Sequence, residues 1–236
     1  MKSILHLTNP KLKDCLRSLG LNDLPILGRG MYSLVLDHGD DTVTKVTVDN
    51  MSYNWLVQGS YGMGRLRDGS PYKVEVVEDL DAVGDIDLFL GFKPQLYEYE
   101  LKAVRMKKYT RLRKETQNTE QSKRSSHLKL CFSEAVRYGY TPDAANFFHR
   151  CAENWEKNNP EDNHYYELLL ACYYFAADWA ARPDILSRGN MLGHNGNPML
   201  VDPFHDPELF ARVWADGIDK FDNPKGNTLY DLKEFV

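Results

Sequence analysis

The chain changes from strand-type to helix-type sequence near residue 100, and this change restricts its fold more than any other feature. Before that point, β-branched and aromatic residues form short runs separated by Gly, Asp and Asn, a pattern typical of strands joined by tight turns. Later in the chain, apolar residues recur at helical spacing. Strands followed by helices predict an α+β fold with two lobes, an N-lobe built on an antiparallel sheet and a helical C-lobe.

Local signals define the elements of the N-lobe. Asn9 can accept a backbone N–H as an N-cap, Pro10 suits the first helical position, and Gly20 marks the end of that helix. Asp49 or Asn50 can cap a second helix. Antiparallel strands are predicted at residues 26–27, 33–36, 42–48, 73–77 and 95–99, with an acidic stretch between the last two.

Three helices are predicted in the second half, at residues 133–138, 142–155 and 164–181. We expect the last to be a central buried helix, because it is rich in the apolar residues Tyr166, Leu169, Leu170, Tyr173, Tyr174 and Ala177. Residues 105–124 are polar and basic, which favours a solvated linker over a docking segment for an acidic partner. The expected organisation is an N-lobe at 1–108, a basic linker at 109–127 and a C-lobe at 128–236.

Composition argues against several functional classes. Lys and Arg total 29 against 34 Asp and Glu, which gives a formal charge of −5 and disfavours a dedicated nucleic-acid-binding protein. No apolar run is long enough to cross a membrane, and the N-terminus lacks the apolar core of a signal peptide, so we expect a cytoplasmic protein. The four cysteines are far apart, which indicates neither a zinc site nor a disulfide framework.

The first candidate site is a glycine-rich hairpin followed by a lysine. Gly28 and Gly30 lie between two predicted strands, where the absence of a Cβ lets backbone amides approach a phosphate, and Ser33 stands where a third glycine is common. Lys45 lies in the middle of the next strand, from which it can reach phosphates as a point charge. Each feature alone also fits an ordinary hairpin and an exposed lysine.

The second candidate site lies about 140 residues further along. Asn190 and Asp202 flank a predicted hairpin with Asn195-Gly196 at its turn, and their side-chain oxygens suit Mg²⁺, which takes few protein ligands in addition to substrate phosphates. Asp184, on the preceding loop, can orient a hydroxyl nucleophile. Because Asp, Asn and Gly are also ordinary turn residues, this segment alone fits a purely structural loop equally well.

Taken in order along the chain, these features resemble the protein-kinase fold. LGRGMYSLV resembles the glycine loop, Lys45 the lysine of the third strand, DILSRGN the catalytic loop, and LVDP the segment that carries the final metal-binding aspartate. More narrowly, residues 10–210 resemble the early serine/threonine protein kinases of short-tailed bacteriophages, which implies a compact two-lobed kinase-like fold.

The resemblance implies an ATP- and Mg²⁺-dependent transfer of phosphate to Ser or Thr of host proteins in the host cytoplasm. The implied roles are phosphate binding by Gly28, Gly30, Ser33 and Lys45, a base at Asp184, and Mg²⁺ binding by Asn190 and Asp202.

The chain departs from the family at several positions. Asp184 precedes Asn190 by six residues rather than five, with Ile185 at the usual position of the base. The helix after Lys45 offers no Glu as its partner, and Pro203-Phe204 replaces Phe-Gly after Asp202. These departures keep two alternatives open: a pseudokinase that binds and inhibits a host protein, and a small-molecule phosphotransferase. A hydrolytic metal site formed by His194, His205 and Asp206 is less favoured, because the spacing fits no zinc pattern.

Overall fold

The computed structural model describes residue 5 and residues 7–57, 66–90, 95–111, 120–138, 142–184 and 190–213. The helices in these ranges are α1 (Pro10–Ser18), α2 (Asn50–Val57), α3 (Glu120–Arg137), α4 (Pro142–Asn158), α5 (Asn163–Trp179) and α6 (Pro207–Val213). The strands are β1 (Ile26–Arg29), β2 (Ser33–Asp37), β3 (Thr42–Thr47), β4 (Val76–Leu90), β5 (Gln95–Lys107), β6 (Arg182–Pro183), β7 (Met191–His194), β8 (Asn197–Leu200) and β9 (Phe204–His205). The predicted α+β class is confirmed.

Two compact units share the chain, and each is built from more than one segment. The first contains the described residues of 1–53, 76–107 and 208 onward, and the second contains those of 54–75 and 108–207. The expected organisation is an N-lobe to 108, a linker and then a C-lobe. It differs from the observed division at two segments: residues 54–75 belong to the second unit, and the described residues from 208 onward belong to the first.

The first unit is built on a five-stranded antiparallel sheet with strand order β1-β2-β3-β5-β4. The three predicted strands between residues 26 and 48 are all present, because runs of β-branched residues are separated there by turn residues. Helix α1 begins where the sequence predicts: the Asn9 side chain accepts a hydrogen bond from the backbone N–H of Leu12, and Gly20, just after the helix, has φ of +68°.

Strands β4 and β5 form a hairpin much longer than predicted. The sequence predicts short strands at 73–77 and 95–99, but β4 covers the whole acidic stretch up to Leu90 and β5 continues to Lys107. Three irregularities in register interrupt the pairing. One lies at Gly84, whose φ is +141° and where a Cβ would lie 2.6 Å from the Cys15 sulfur, so a side chain there is excluded.

A single apolar cluster fills the first unit. Leu12 and Leu16 of α1 pack with the central strand residues Leu34 and Val46, and α6 adds Leu209 and Val213 from far along the chain. The burial of these aliphatic side chains, and not strand propensity alone, holds the acidic β4 in the sheet.

The second unit is helical, with α4 packed against both α3 and α5. Its centre is a cluster of aromatic rings in which Phe204 lies 5.0 Å from Phe175, 5.4 Å from Trp55 and 5.6 Å from Phe132, measured between ring centroids. The Trp55 indole nitrogen donates a hydrogen bond to the backbone oxygen of Leu200 over 2.8 Å. This contact fixes the end of β8 next to the aromatic cluster.

Two helices of this unit correct the sequence interpretation. Helix α3 begins at Glu120, so residues 120–127 of the expected linker are helical. Helix α5 is central as expected, but it buries Tyr165, Leu168, Leu169, Ala171, Cys172, Phe175 and Ala176. Of the residues predicted to be buried, only Leu169 is, and Ala177 is exposed. Helix α5 carries apolar residues on all of its faces, so the sequence pattern alone does not show which face is buried.

The basic segment is partly built into this unit. Arg124 forms an ion pair with Asp162 at 2.8 Å, and the exposed Lys123 pairs with Glu120. Thr110 forms a β-bridge with Gly193. Arg113 and Lys114 lie outside the described residues. The described end of this segment therefore contributes to the fold of the unit.

All four cysteines are free thiols, and Cys172 is fully buried as the sequence predicts. None of the helices in the described part of the chain combines the length and apolarity needed to cross a bilayer.

Candidate functional site

The glycine hairpin between β1 and β2 is closed by a backbone hydrogen bond from the Gly30 N–H to the Ser33 oxygen over 2.9 Å. A Cβ at Gly30 would lie 2.7 Å from the Ser33 hydroxyl, so any other residue there would require the Ser33 side chain to shift. At Gly28 the nearest atom to such a Cβ is 3.9 Å away. The Ser33 side chain is buried inside the hairpin.

Lys45 lies on the same line across the sheet as Gly28. Gly28 pairs with Val35 on β2, and Val35 pairs with Lys45 on β3. Residues directly opposite each other in an antiparallel sheet point to the same face. The Lys45 side chain therefore projects from the face of the sheet toward which a side chain at position 28 would point. Gly28 has no side chain, and β2 lies between the two residues.

The Lys45 ammonium group is buried against α2. Its side chain is 3% exposed, and its Nζ donates a hydrogen bond to the Ser52 hydroxyl over 2.5 Å. Ser52 is 1% exposed. The sequence of this helix offers no carboxylate, and the serine that accepts from the lysine is not among the predicted site residues.

Asp49 caps the helix that carries Ser52. Its Oδ1 accepts hydrogen bonds from the backbone N–H groups of Met51 (2.9 Å) and Ser52 (3.0 Å). This resolves the choice between Asp49 and Asn50 as the N-cap. The signal that could have found Ser52 is an aspartate cap directly after the lysine strand, with a hydroxyl residue in the first turn of the helix.

In the second unit, a tight hairpin brings Asn190 and Asp202 together. Asn195 (φ +47°) and Gly196 (φ +82°) form the turn between β7 and β8, as the Asn-Gly pair predicts. At the open end of this hairpin, the backbone oxygen of Asn190 accepts hydrogen bonds from the N–H groups of Val201 (3.0 Å) and Asp202 (3.2 Å). The two candidate metal ligands are therefore neighbours.

Asp184 joins the same group of residues. It directly follows β6, which pairs with β9, and its N–H donates to the Pro203 oxygen over 2.7 Å. The Asn190 side-chain nitrogen donates to the Asp184 backbone oxygen over 2.7 Å. Asp184, Asn190 and Asp202 are thus held together by one side-chain and several backbone hydrogen bonds, although Asp184 is one residue early in the kinase pattern. Residues 185–189 of the loop between them lie outside the described residues.

His205 lies beside the Asp184 carboxylate, with Nδ1 3.7 Å from Oδ2. The Asp184 side chain is 33% exposed and the His205 side chain 9% exposed, so solvent reaches the carboxylate while the imidazole is buried behind it. The sequence interpretation placed His205 only in a zinc alternative. The pairing of β6 with β9 is what brings these residues together, and no local signal in the sequence predicts it.

The metal alternatives can be compared on these contacts. Across the described ranges, no group of three or more His, Cys, Asp or Glu side chains is arranged to hold a metal ion, and His194 instead stacks against Tyr109 at 5.5 Å between ring centroids. The adjacent Asn190 amide and Asp202 carboxylate offer oxygen ligands of the type that Mg²⁺ uses together with phosphate oxygens. The residue types are therefore compatible with Mg²⁺.

The candidate residues fall into two sets. The first unit holds Gly28, Gly30, Ser33 and Lys45, and the second holds Asp184, Asn190 and Asp202. Comparison with family models, with curated proteins and with solved structures finds no match. The geometry within each set is therefore the basis for the functional proposal.

Proposed function

We propose that this protein is an ATP- and Mg²⁺-dependent phosphotransferase with a compact two-lobed protein-kinase-like fold. It transfers a phosphoryl group to Ser or Thr of host proteins in the host cytoplasm, in the manner of the phage early kinases that its sequence resembles. The observation that carries the proposal is the convergence of Asp184, Asn190 and Asp202 at the open end of the β7–β8 hairpin, in spite of the extra residue between Asp184 and Asn190.

The first unit supports the phosphate-binding part of the proposal. A strand lysine on the same face as Gly28 is suited to hold nucleotide phosphates, because the ammonium group is a compact charge and the glycine leaves room above the sheet. The rigid sheet fixes the lysine backbone, which reduces the entropy lost when the ligand is bound.

The second unit supports the catalytic part. Mg²⁺ supplies neutralisation of phosphate charge when it is bound with ATP. Asn190 and Asp202 hold the ion through side-chain oxygens, and the solvent-accessible Asp184 carboxylate orients the attacking hydroxyl and accepts its proton. His205 supports this carboxylate from the buried side.

One observation favours a second candidate, a pseudokinase that binds and inhibits a host protein. The α2 partner of Lys45 is a neutral hydroxyl rather than a carboxylate, which is a departure from the residue set of active kinases. In this candidate, nucleotide binding persists and phosphotransfer does not. The two candidates therefore differ in one measurable step.

The experiment is incubation of the purified protein with [γ-³²P]ATP and a bacterial lysate, with and without Mg²⁺. We expect Mg²⁺-dependent label in lysate proteins or in the chain itself, no label with Asp202→Asn, and a loss of about 10²–10³-fold with Lys45→Ala, the scale for one preorganised electrostatic donor. The matched control is Asp178→Asn, on the exposed side of α5, which should label like the wild type.

The outcomes separate the candidates. Equal labelling by the wild type and Asp202→Asn contradicts the assignment of the site. No label, together with thermal stabilisation of the wild type by ATP and Mg²⁺, supports the pseudokinase. Neither label nor stabilisation contradicts both candidates.

A further inference from the structure

The buried contact between Lys45 and Ser52 supports an inference that deepens the proposed function and rests on it. We propose that Ser52 is the positioning residue for Lys45, and that its hydroxyl takes the place of a helix carboxylate in holding the ammonium group for nucleotide phosphates. The ligand class concerned is a nucleoside di- or triphosphate.

The Lys45 ammonium group and the Ser52 hydroxyl are both buried. Lys45 is 3% exposed and Ser52 1% exposed, and a buried ammonium group is stable only when its N–H groups are hydrogen-bonded. A lysine side chain has four rotatable bonds and many rotamers. A fixed acceptor therefore selects the few rotamers that direct the ammonium group away from the sheet toward α2. The Ser52 oxygen, 2.5 Å from Nζ, is such an acceptor.

Ser52 is itself fixed in place. Its N–H donates to Asp49, and the Asp49 N–H in turn donates to the Thr47 hydroxyl over 3.0 Å. That hydroxyl donates to the backbone oxygen of Tyr32, which also accepts from the Val48 N–H. Tyr32 lies in the glycine hairpin. A continuous chain of hydrogen bonds therefore connects this hairpin to Ser52.

A serine and a carboxylate differ in the charge that they place beside Lys45. A serine hydroxyl accepts a hydrogen bond from the ammonium group without adding a negative charge, whereas a carboxylate partner partly neutralises it. The contact with Ser52 therefore positions the Lys45 ammonium group without itself adding a negative charge beside it. Such a partner should affect phosphate-bearing ligands and leave a nucleoside without phosphate unaffected.

The test measures the affinity of the full-length protein for Mg·ATP, Mg·ADP and adenosine, by calorimetry for the nucleotides and by thermal shift for adenosine. We expect Ser52→Ala to weaken Mg·ATP binding about tenfold, the scale for a hydrogen bond to a charged group, with adenosine binding unchanged. Ser52→Thr, which keeps the hydroxyl, should bind within about twofold of the wild type.

Three further variants keep the test decisive. Ser125→Ala removes another buried helical serine, on α3, and should bind all three ligands like the wild type. If Ser52→Ala fails to fold, Ser52→Cys keeps the side-chain volume but offers a weak acceptor, and it should weaken Mg·ATP binding several-fold. In a Lys45→Met background, Ser52→Ala should cause no additional loss.

Each result has a distinct meaning. Equal weakening of Mg·ATP and adenosine by Ser52→Ala would show a role in folding only and overturn the inference. Unchanged Mg·ATP binding in Ser52→Ala, with a wild type that binds, overturns the inference and leaves the proposed function in place. A wild type that binds neither nucleotide contradicts the proposed function, and the role of Ser52 with it.

Discussion

Asn190 donates a hydrogen bond from its side-chain amide to the backbone oxygen of Asp184, over 2.7 Å. The contact orients the amide, because its nitrogen faces Asp184 and its oxygen is turned to the other side. That oxygen is the atom a divalent cation would use. One side chain therefore ties the two loops together and, under the proposed function, also supplies a ligand to the cation.

Replacing Asn190 by Asp tests this orientation. Because a carboxylate oxygen would then face the Asp184 carbonyl oxygen, we expect the free energy of unfolding to fall by about 1–3 kcal/mol, the cost of an unsatisfied buried acceptor. Urea denaturation followed by circular dichroism measures it. The control is Asn195→Asp on the exposed turn, which should stay within about 0.5 kcal/mol of the wild type. Equal stability of the two variants would contradict the described contact.

His205→Leu tests the support of the Asp184 carboxylate. The imidazole packs 3.7 Å from the carboxylate without a hydrogen bond to it, and removing it opens space beside Asp184. Under the proposed function we therefore expect phosphate transfer at saturating ATP to fall about tenfold, with ATP affinity unchanged. His205→Asn keeps an N–H near the position of Nδ1 and should recover most of the rate. A drop in ATP affinity that parallels the rate would instead indicate a disturbed fold.

The stability of the protein should fall as the pH drops below about 6.5, in part through His127. Burial lowers the pKa of His127 below its ordinary value of 6.5, so the unfolded chain takes up a proton at a higher pH than the folded protein does. The stability contributed by the neutral imidazole is therefore complete above pH 6.5 and is lost as the pH falls. Urea denaturation at pH 7.5 and 5.5 should show a smaller drop in His127→Gln. An identical drop in the variant would rule this contribution out.

Cys151 should react with alkylating agents before the buried cysteines do. A hydrogen bond from the Cys131 thiol, and the charge of Arg150, lower the pKa of Cys151, which is half-buried. Burial raises the pKa of Cys172, and the thiol that donates, Cys131, has its pKa raised as well. Substoichiometric N-ethylmaleimide at pH 7.5, followed by peptide mass spectrometry, should find the label on Cys151 first. Cys151→Ser should lose the fast phase of labelling, and label that appears first on Cys172 would contradict the described packing.

The elements that the sequence predicts correctly are those with local chemistry. Asn9 and Pro10 begin α1, Asp49 begins α2, and Asn195-Gly196 turns the β7–β8 hairpin. In each case the signal acts within a few residues, either as a side chain that accepts a backbone hydrogen bond or as a residue that adopts a positive φ in a turn. Such signals do not depend on the rest of the fold.

The elements that the sequence misses depend on distant partners. The acidic β4 has poor strand propensity and is held by its pairing with β5 and by the core beneath it. The buried face of α5 depends on which helices pack beside it. In the candidate site, the positions of Asp184 and Asn190 relative to Asp202 follow partly from the spacing, whereas the contacts with Ser52 and His205 depend on strand pairing and on the placement of α2.

Helix α6 completes the core of the sheet-containing unit from a point more than a hundred residues beyond its last strand. During synthesis from the N-terminus, every strand of the sheet leaves the ribosome long before Leu209 and Val213 do, whereas the second unit has all of its segments available by residue 207. A nascent sheet therefore keeps apolar surface exposed until α6 has been synthesised.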